Sequence, residues 1–384
     1  MVKESRRREI LSVLGAVGAS ALAGCGTPSD GETNSQDSGT AGPWPMYSVD
    51  AANVGSLPDQ SGPRENITTQ WSFRTNDEVY SSPAVADGTV YVGSSDKTVY
   101  AIDAESGTET WAFDTDGVVY SSPAVVGGTV YVGCHDTKLY AIDAESGEQE
   151  WVFSEPGNNL WTPAVANGTV YVGSWDNNLY AVDSESGEQE WLFETGGVIQ
   201  ASPAVADGTV YVGSDDDTVY ALDAESGTEQ WTLQTGGFVQ SAPAVVDGTV
   251  YVGSHDDTVY AIDAESGEEQ WRYEMLGSLN SSPAVADGRV YLGNIDGFVY
   301  AVDAATGEEQ WKYRTDGYVS TPAVVGDTVY AGSRDNSVYG LDAESGEVLW
   351  TFETGSRVES SPAVADGTVY VGSDDQSVYA LTEE

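Results

Sequence analysis

The chain has 384 residues and a formal net charge of −48, because 62 acidic residues face only 14 basic ones. A negative field of this strength repels nucleic acid and anionic membrane surfaces, since binding to either requires basic side chains that neutralise phosphates. Two cysteines are too few for a disulfide scaffold. The apolar content of 40%, with 11 Trp and 22 Tyr, is ample for a hydrophobic core.

Residues 1–24 are predicted to be an export signal. Arg6-Arg7-Arg8-Glu9-Ile10-Leu11 fits a twin-arginine signal, and the apolar stretch from Ile10 to Gly24 is short for a membrane span. The stretch ends in Leu22-Ala23-Gly24-Cys25, which resembles a lipobox, so Cys25 is predicted to be acylated and to become the mature N-terminus. We therefore expect a protein anchored by lipid on the extracellular face of the cell membrane. The alternative is an ordinary cleaved signal with an incidental cysteine.

Residues 25–43 are rich in Ser, Thr, Gly, Asp and Asn, and so predict a disordered tether. Apolar residues return at Trp44 and Tyr47. Residues 44–70 are predicted to form an irregular segment that packs on the folded domain, with those two aromatic residues as its anchors.

From residue 71 the chain repeats with a period of 40 residues, shortened to 39 in the last step. Each repeat predicts four short strands, which in the first repeat are 81–86, 89–93, 98–103 and a fourth beginning at Trp111. Asp87-Gly88 predicts a hairpin turn with positive φ between the first two strands. Four-stranded units of about 40 residues are typical of β-propeller blades. The fourth strands carry Trp71, Trp111, Trp151, Trp191, Trp231, Trp271, Trp311 and Trp350.

The order of these features predicts how many blades there are and how the ring closes. A proline occurs in each of eight first strands, as expected for a blade edge that needs no backbone donor. Trp71 precedes every first strand, whereas the last repeat ends at Leu381-Thr382, after its third strand. The strand at Trp71 is therefore predicted to complete the last blade. Residues 71–384 should form an all-β, eight-bladed propeller whose ring has no open edge.

The repeated pattern Ala-x-Asp-x-x-Ser/Thr-Gly-x-x-x-Trp, as in Ala101–Trp111, resembles the tryptophan-docking motif of the pyrroloquinoline quinone (PQQ)-like family of eight-bladed propellers. The resemblance implies that the eight tryptophans dock against neighbouring blades. It covers two functional classes, namely quinoprotein dehydrogenases with PQQ and calcium on the axis, and non-catalytic propellers such as the BamB-like lipoproteins. The lipobox and tether resemble the second class.

Quinoprotein alcohol dehydrogenases carry an adjacent Cys-Cys pair and long insertions that build the site, and this chain has neither. We therefore expect no catalytic residues, no metal site and no PQQ or calcium cofactor. His135 and His255 occupy equivalent places three blades apart, so they are expected to be loop residues that do not share a metal. The runs Asp215-Asp216-Asp217 and Asp374-Asp375 could bind calcium weakly, although such runs are more often solvated turns.

Sequence variation between repeats is concentrated in the 2–3 and 4–1 connections, which lie at one end of a propeller that we call the variable face. The 1–2 and 3–4 turns at the opposite end are nearly constant. Variation confined to one face suggests a binding surface there, and the alternative is relaxed constraint on loops. Blade 3 places two tryptophans outside the docking position, both expected to be exposed. The candidate partner-binding residues are Asn158, Asn159, Trp161, Trp175, His135, His255, Tyr318 and Arg334.

We thus predict a non-catalytic binding scaffold for a protein or a surface polymer, with no nucleic-acid partner. The alternatives are a quinoprotein dehydrogenase that binds PQQ and calcium, and a purely structural component of the cell surface. Asn66, Asn167 and Asn280 lie in N-glycosylation sequons. The acidic, Lys-poor composition also resembles that of proteins from extreme halophiles, in which molar salt screens self-repulsion.

Overall fold

The computed structural model describes residues 44–58 and 60–384. Its strands form eight antiparallel sheets of four strands each, one of which has an additional parallel strand, and no helix occurs among the described residues. The predicted eight-bladed, all-β propeller is therefore confirmed. The predicted signal at 1–24, the tether at 25–43 and Cys25 lie outside the described residues.

The chain enters the ring through two strands, β1 (Ser56–Leu57) and β2 (Ile67–Arg74). Blade 1 then contains β3 (Ala84–Ala86), β4 (Thr89–Gly93), β5 (Thr98–Asp103) and β6 (Glu109–Asp114). Blade 2 contains β7 (Ala124–Val126), β8 (Thr129–Gly133), β9 (Leu139–Asp143) and β10 (Gln149–Phe153). Blade 3 contains β11 (Ala164–Ala166), β12 (Thr169–Gly173), β13 (Asn178–Asp183) and β14 (Gln189–Glu194). Blade 4 contains β15 (Ala204–Ala206), β16 (Thr209–Ser214), β17 (Thr218–Asp223) and β18 (Glu229–Gln234).

The second half of the ring repeats this arrangement. Blade 5 contains β19 (Ala244–Val246), β20 (Thr249–Gly253), β21 (Thr258–Asp263) and β22 (Glu269–Glu274). Blade 6 contains β23 (Ala284–Ala286), β24 (Arg289–Gly293), β25 (Phe298–Asp303) and β26 (Glu309–Arg314). Blade 7 contains β27 (Ala323–Val325), β28 (Thr328–Ser333), β29 (Ser337–Asp342) and β30 (Val348–Glu353). Blade 8 contains β31 (Ala363–Ala365), β32 (Thr368–Ser373) and β33 (Ser377–Glu383), and β2 completes it.

The first strand of each blade is shorter than the sequence predicted, because it begins only after the proline. In blade 1 it covers 84–86 rather than 81–86. The hydroxyl of Ser81 replaces the missing ladder bonds, since its Oγ accepts from the N–H of Gly93 at 2.7 Å and donates to the carbonyl of Gly93 at 2.9 Å. The turn that follows has positive φ at Asp87 and Gly88, as the sequence predicted.

The ring closes where the N- and C-terminal strands meet. Strand β2 pairs antiparallel with β33 and places Trp71 opposite Ala380. The strand begins at Ile67, four residues before the predicted start of the propeller at residue 71. The closing blade therefore has the same four strands as the others, and its outer strand comes from the opposite end of the chain.

Each joint between blades is built on a tryptophan of the fourth strand. The indole N–H of Trp111 donates to the carbonyl of Ala144 in the 3–4 turn of the next blade at 2.9 Å, and Trp71 bonds Ala104 in the same way. The turn itself is held by its aspartate, because the Asp103 carboxylate accepts from the N–H and the hydroxyl of Ser106. All the docking tryptophans except Trp151, which is half-buried, are at most 9% exposed.

Blade 8 has no continuous 3–4 turn, because the chain ends at that point. The segment that leads into β2 supplies the missing contacts. Trp350 of blade 7 donates its indole N–H to the carbonyl of Pro63 at 3.0 Å, and the hydroxyl of Tyr330 donates to the same oxygen at 3.1 Å. The Glu383 carboxylate accepts from the N–H groups of Glu65, at 3.1 Å, and of Arg64, which is the role that aspartate has in the other turns.

Residues 44–57, which we call the inner segment, run around the inner edges of the blades. Their carbonyl groups accept hydrogen bonds of 2.6–3.0 Å from first-strand N–H groups in six blades. These are inner-edge donors, which have no neighbouring strand in the blade itself. The donors belong to Val85, Val125, Val205, Val245, Val285 and Val324. The inner segment thus lines the central channel on the side away from the variable face.

Candidate binding site at the channel mouth

The channel opens on the variable face as a pit of about 160 Å³. Every blade contributes to its wall. The lining residues comprise Tyr47, Tyr80, Ser82, Tyr120, Ser122, Trp161, Thr162, Gln200, Ser202, Gln240, Ala242, Asn280, Ser282, Tyr318, Thr321, Glu359 and Ser361.

The deeper ring of the pit consists mainly of Ser and Thr hydroxyls, from the residue directly before each first-strand proline. A residue before proline is restricted to extended conformations, so its N–H points to the neighbouring blade at the same level in each repeat. The N–H of Ser82 donates to Ser122 Oγ at 2.9 Å, and the N–H of Ser122 donates to Thr162 Oγ1 at 3.0 Å. Across the closing joint, the N–H of Ser361 donates to Ser82 Oγ at 2.9 Å.

Tyr47 of the inner segment forms the floor of the pit. Its hydroxyl lies 3.0 Å from Ser282 Oγ and 2.8 Å from Thr321 Oγ1, in the hydroxyl ring. The pit is lined from there upward by residues of the 4–1 connections, so it opens on the variable face.

The wall contributed by blades 1–3 carries a continuous group of rings, which we call the aromatic arc: Tyr80, Tyr120, His135, Trp161 and Trp175. Tyr80 and Tyr120 pack edge to face with centroids 5.2 Å apart, and His135 lies 4.8 Å from Tyr120. His135 also contacts both tryptophans, at 5.4 Å and 5.6 Å, and the tryptophan rings are 6.0 Å apart. Burial lowers the pKa of His135, so the neutral imidazole is favoured in this setting.

Trp161 reaches the pit because the connection into blade 3 differs from that of most other blades. In blade 2, Ser121 lies between Tyr120 and the hydroxyl-ring residue, and Ser121 Oγ accepts from Gly133 N–H. Blade 3 has one residue fewer at this point, and the N–H of Trp161 itself donates to the carbonyl of Gly173 at 3.1 Å. Trp161, which the sequence predicted to be exposed, is consequently half-buried with its ring in the pit, whereas Trp175 is 37% exposed.

The wall contributed by blades 4 and 5 is polar. Gln200 and Gln240 each donate from Nε2 to a different oxygen of Asp215, both at 3.0 Å. One carboxylate therefore fixes two side-chain amides from neighbouring blades at the rim, next to the aromatic arc.

Blades 7 and 8 place a charged corner next to blade 1, where the aromatic arc begins. Arg334 forms an ion pair with Glu359 at 2.8 Å and lies over the ring of Tyr318, 4.6 Å from its centroid. Burial, together with the nearby carboxylates of Glu359 and Glu78, raises the pKa of Asp374 to about 6. Ionisation of all the acidic groups at this corner is therefore unfavourable, and Asp374 is the group that takes up a proton more readily.

The structure thus separates the candidate residues into distinct groups. His135, Trp161 and Trp175 meet in the aromatic arc, while Tyr318 and Arg334 lie in the charged corner. Asn158 and Asn159 lie beside Trp175, whose backbone N–H donates to the carbonyl of Asn159 at 3.0 Å. Neither asparagine lines the pit. His255 packs instead against Phe238, at 5.9 Å between ring centroids. Asn66, Asn167 and Asn280 are all exposed, and Asn280 lies on the rim of the pit.

The sequence indicated Tyr47 only as an anchor of residues 44–70, and it did not assign Tyr120, Gln200 or Glu359 to a site. The last three occupy one position, three residues before the first-strand proline in each of their blades. An alignment of the repeats on those prolines would have found them. Tyr47 precedes the repeats, and no repeat pattern could indicate that its side chain reaches the channel.

The family model of the outer membrane protein assembly factor BamB matches this chain in four successive segments, residues 64–161, 154–242, 235–321 and 314–384. The chain belongs to this PQQ-like propeller family. A search of curated protein sequences finds no match.

Solved structures with the same propeller fold are similar to the chain over most of its length. BamB from Moraxella catarrhalis superposes with a TM-score of 0.72 at 21% identity, over 82% of this chain and 99% of that one. The quinohemoprotein alcohol dehydrogenase of Comamonas testosteroni superposes with a TM-score of 0.78 at 18% identity, over 91% and 81%. A europium-containing methanol dehydrogenase gives 0.77 at 15% identity, over 89% and 98%. At these identities the likeness establishes the shared fold, and it includes both BamB and dehydrogenases.

The residues of the pit do not fit the quinone cofactor that the enzymes of this fold family imply. PQQ carries three carboxylates, which require basic partners, yet none of the described residues lining the pit is Lys or Arg, and Glu359 adds negative charge. Within residues 44–58 and 60–384, no group of three or more His, Cys, Asp or Glu side chains is placed to hold a metal ion. The same part of the chain contains no helix long and apolar enough to cross a membrane.

Proposed function

We propose that this protein is an exported, lipid-anchored propeller that binds a protein or polymer partner at its variable face and catalyses no reaction. The observation that carries the proposal is the aromatic arc beside a pit that opens on the face where the repeats differ. Clustered Trp and Tyr side chains are the residues most enriched at energetically dominant interface positions.

Exposed apolar side chains on the same face support a macromolecular partner. Trp175, Phe238, Leu276 and Ile295 are between 37% and 58% exposed, and all four lie in 2–3 or 4–1 connections. Exposed apolar groups beside a rim of polar side chains are typical of interaction sites. The family description, an outer membrane protein assembly factor, further favours a protein partner.

The arc is tested by replacing both of its non-docking tryptophans. We expect Trp161→Ala combined with Trp175→Ala to abolish capture of the native partner, detected by crosslinking on intact cells followed by mass spectrometry. Leu192→Ala is the matched control, because Leu192 is 48% exposed on the outer strand β14, away from the pit. The same crosslinked partner at undiminished yield with the double variant would refute this site, provided that the circular dichroism spectrum shows an intact fold.

Membrane attachment is proposed to depend on Cys25. The pattern Leu22-Ala23-Gly24-Cys25 and the paired arginines before it support acylation after twin-arginine export. We expect Cys25→Ala to move the protein from the membrane fraction to the soluble exported fraction, and Arg7→Lys with Arg8→Lys to retain it inside the cell. A membrane-bound Cys25→Ala variant would contradict the lipid anchor, since the thioether and acyl chains could not form.

The competing function is a quinoprotein dehydrogenase, which the enzyme structures of the same fold favour. Titration of the purified protein with PQQ and calcium distinguishes the two. We expect no change in the quinone absorbance and no dye-linked alcohol oxidation, because the pit lacks basic partners for the carboxylates. Saturable binding together with turnover would replace the present proposal by the enzyme.

A further inference from the structure

We infer that the pit binds a single neutral sugar residue, such as the terminal unit of a glycan. This inference rests on the proposed binding site and names the chemistry of the ligand within it. At the pit the fold leaves polar atoms unmatched, and no described lining residue is basic.

Buried polar atoms at the pit have no hydrogen-bond partner among the described residues. They include the indole N–H of Trp161 and the hydroxyl of Ser202, a residue that is only 5% exposed. Both residues line the pit, and Nε2 of His135 is unmatched directly behind Trp161. Buried polar groups are normally satisfied, so these atoms indicate a ligand or ordered water at this place.

The unmatched atoms and the lining charge together restrict the ligand class. An indole N–H is a donor only, so it requires an acceptor, which an ammonium group does not have. An anion would provide the acceptor, but no described lining residue is basic and Glu359 would repel it. A neutral hydroxyl compound fits, because each hydroxyl group both donates and accepts.

The lining offers both kinds of contact that a sugar ring makes. The aromatic arc of blades 1–3 brings the rings of Tyr80, Tyr120 and Trp161 to the pit, where they can pack on the C–H face of a pyranose. In the next two blades, Gln200 and Gln240 are held at the rim by Asp215, and their amides can bond the sugar hydroxyls. The space of about 160 Å³, closed below by Tyr47, suits one ring and excludes a folded polypeptide segment.

The test is calorimetric titration of the purified full-length protein with a panel of glucose, galactose, mannose, N-acetylglucosamine and their disaccharides, beside choline and acetate. At least one neutral saccharide should bind, and choline and acetate should not. Trp161→Ala should weaken that binding by ~10-fold or more. Trp161→Phe, which keeps one aromatic ring but removes the N–H and part of the indole surface, should weaken it less, and Ser202→Ala tests the second unmatched group. Phe238→Ala is the control, since Phe238 is exposed on the same face but does not line the pit.

Three results would overturn the inference: no heat of binding with any saccharide at its solubility limit, binding of choline or acetate in place of sugars, or equal weakening by Phe238→Ala and Trp161→Ala. The outcome is separable from that of the proposed function. Loss of partner capture by the double tryptophan variant without saccharide binding removes only the sugar assignment. Saccharide binding with partner capture intact in that variant supports the sugar assignment and removes the arc as the site of partner binding.

Discussion

Two glycines with similar backbone conformations allow the contribution of the inter-blade joint to the free energy of unfolding to be measured by substitution. Gly107 has φ of +71° and lies under the ring of Trp71, where a Cβ atom would stand 2.6 Å from the ring carbons Cγ and Cδ2. Gly88 has φ of +75°, and no described atom lies within 4 Å of its Cβ position. Substitution by alanine therefore imposes the same kind of backbone strain at both sites but a steric clash only at the joint.

The magnitudes follow from these two terms. A left-handed conformation costs an L-residue about 1–2 kcal/mol, so Gly88→Ala should reduce the free energy of unfolding by that amount. Gly107→Ala carries the same backbone cost, and the clash with Trp71 adds about 1–3 kcal/mol of overpacking. The joint variant should thus lose about 2–5 kcal/mol, and the difference between the two variants isolates the clash.

The assay is urea unfolding of the two variants and the wild type at one fixed salt concentration, followed by tryptophan fluorescence and circular dichroism. Gly147→Ala, which meets Trp111 at 2.7 Å at an internal joint, reports whether the closing joint behaves like the others. Equal unfolding midpoints for Gly107→Ala and Gly88→Ala would refute the reasoning, because the ring of Trp71 would then not be packed on this turn.

Two further predictions concern charge. Because burial raises the pKa of Asp374 from 3.8 to about 6, the folded state binds this proton more tightly than the unfolded chain, so stability should fall as pH rises from about 4 to about 6. Asp374→Asn should remove that part of the slope in unfolding midpoints measured across the window, and an unchanged slope would contradict the raised pKa. Secondly, the net charge of −48 should make the melting temperature rise from low to molar KCl, because the screening length falls from about 10 Å at 0.1 M to about 3 Å at 1 M. A flat or falling melting temperature in differential scanning calorimetry would count against a halophilic protein.

Much of the fold could be predicted because its determinants recur locally. Strand β4, a short run that is apolar on both faces, and the Asp87-Gly88 turn follow from residue types within a few positions. Ring closure by β2 followed from counting complete and incomplete repeats. The short first strands were predicted too long, since the sequence does not show that Ser81 replaces ladder bonds with its hydroxyl.

The candidate site could be predicted only in part from the sequence. Trp161 and Trp175 attracted attention because they depart from the repeat, and the structure places both in the aromatic arc. The sequence did not indicate that Gln200 and Gln240 share Asp215, which it marked only as part of a weak calcium-binding or solvated run, because the bond from Gln240 joins neighbouring blades. The substitution of Pro63 for the missing turn of blade 8 was likewise invisible, since it joins residues 287 positions apart.

The sequence by itself determined the eight blades, their strands and the strand that closes the ring, because each of these features is encoded within one repeat or in the count of repeats. Only the tertiary structure decided what meets on the axis. The inner segment lies along the channel below the hydroxyl ring, and Tyr47 forms the floor of the pit. Residues that differ between the repeats line that one pit together. The physical reason is that a propeller converts equivalent positions far apart in the chain into neighbours around a circle, so its shared site depends on side-chain size and direction across blades, which no single repeat contains.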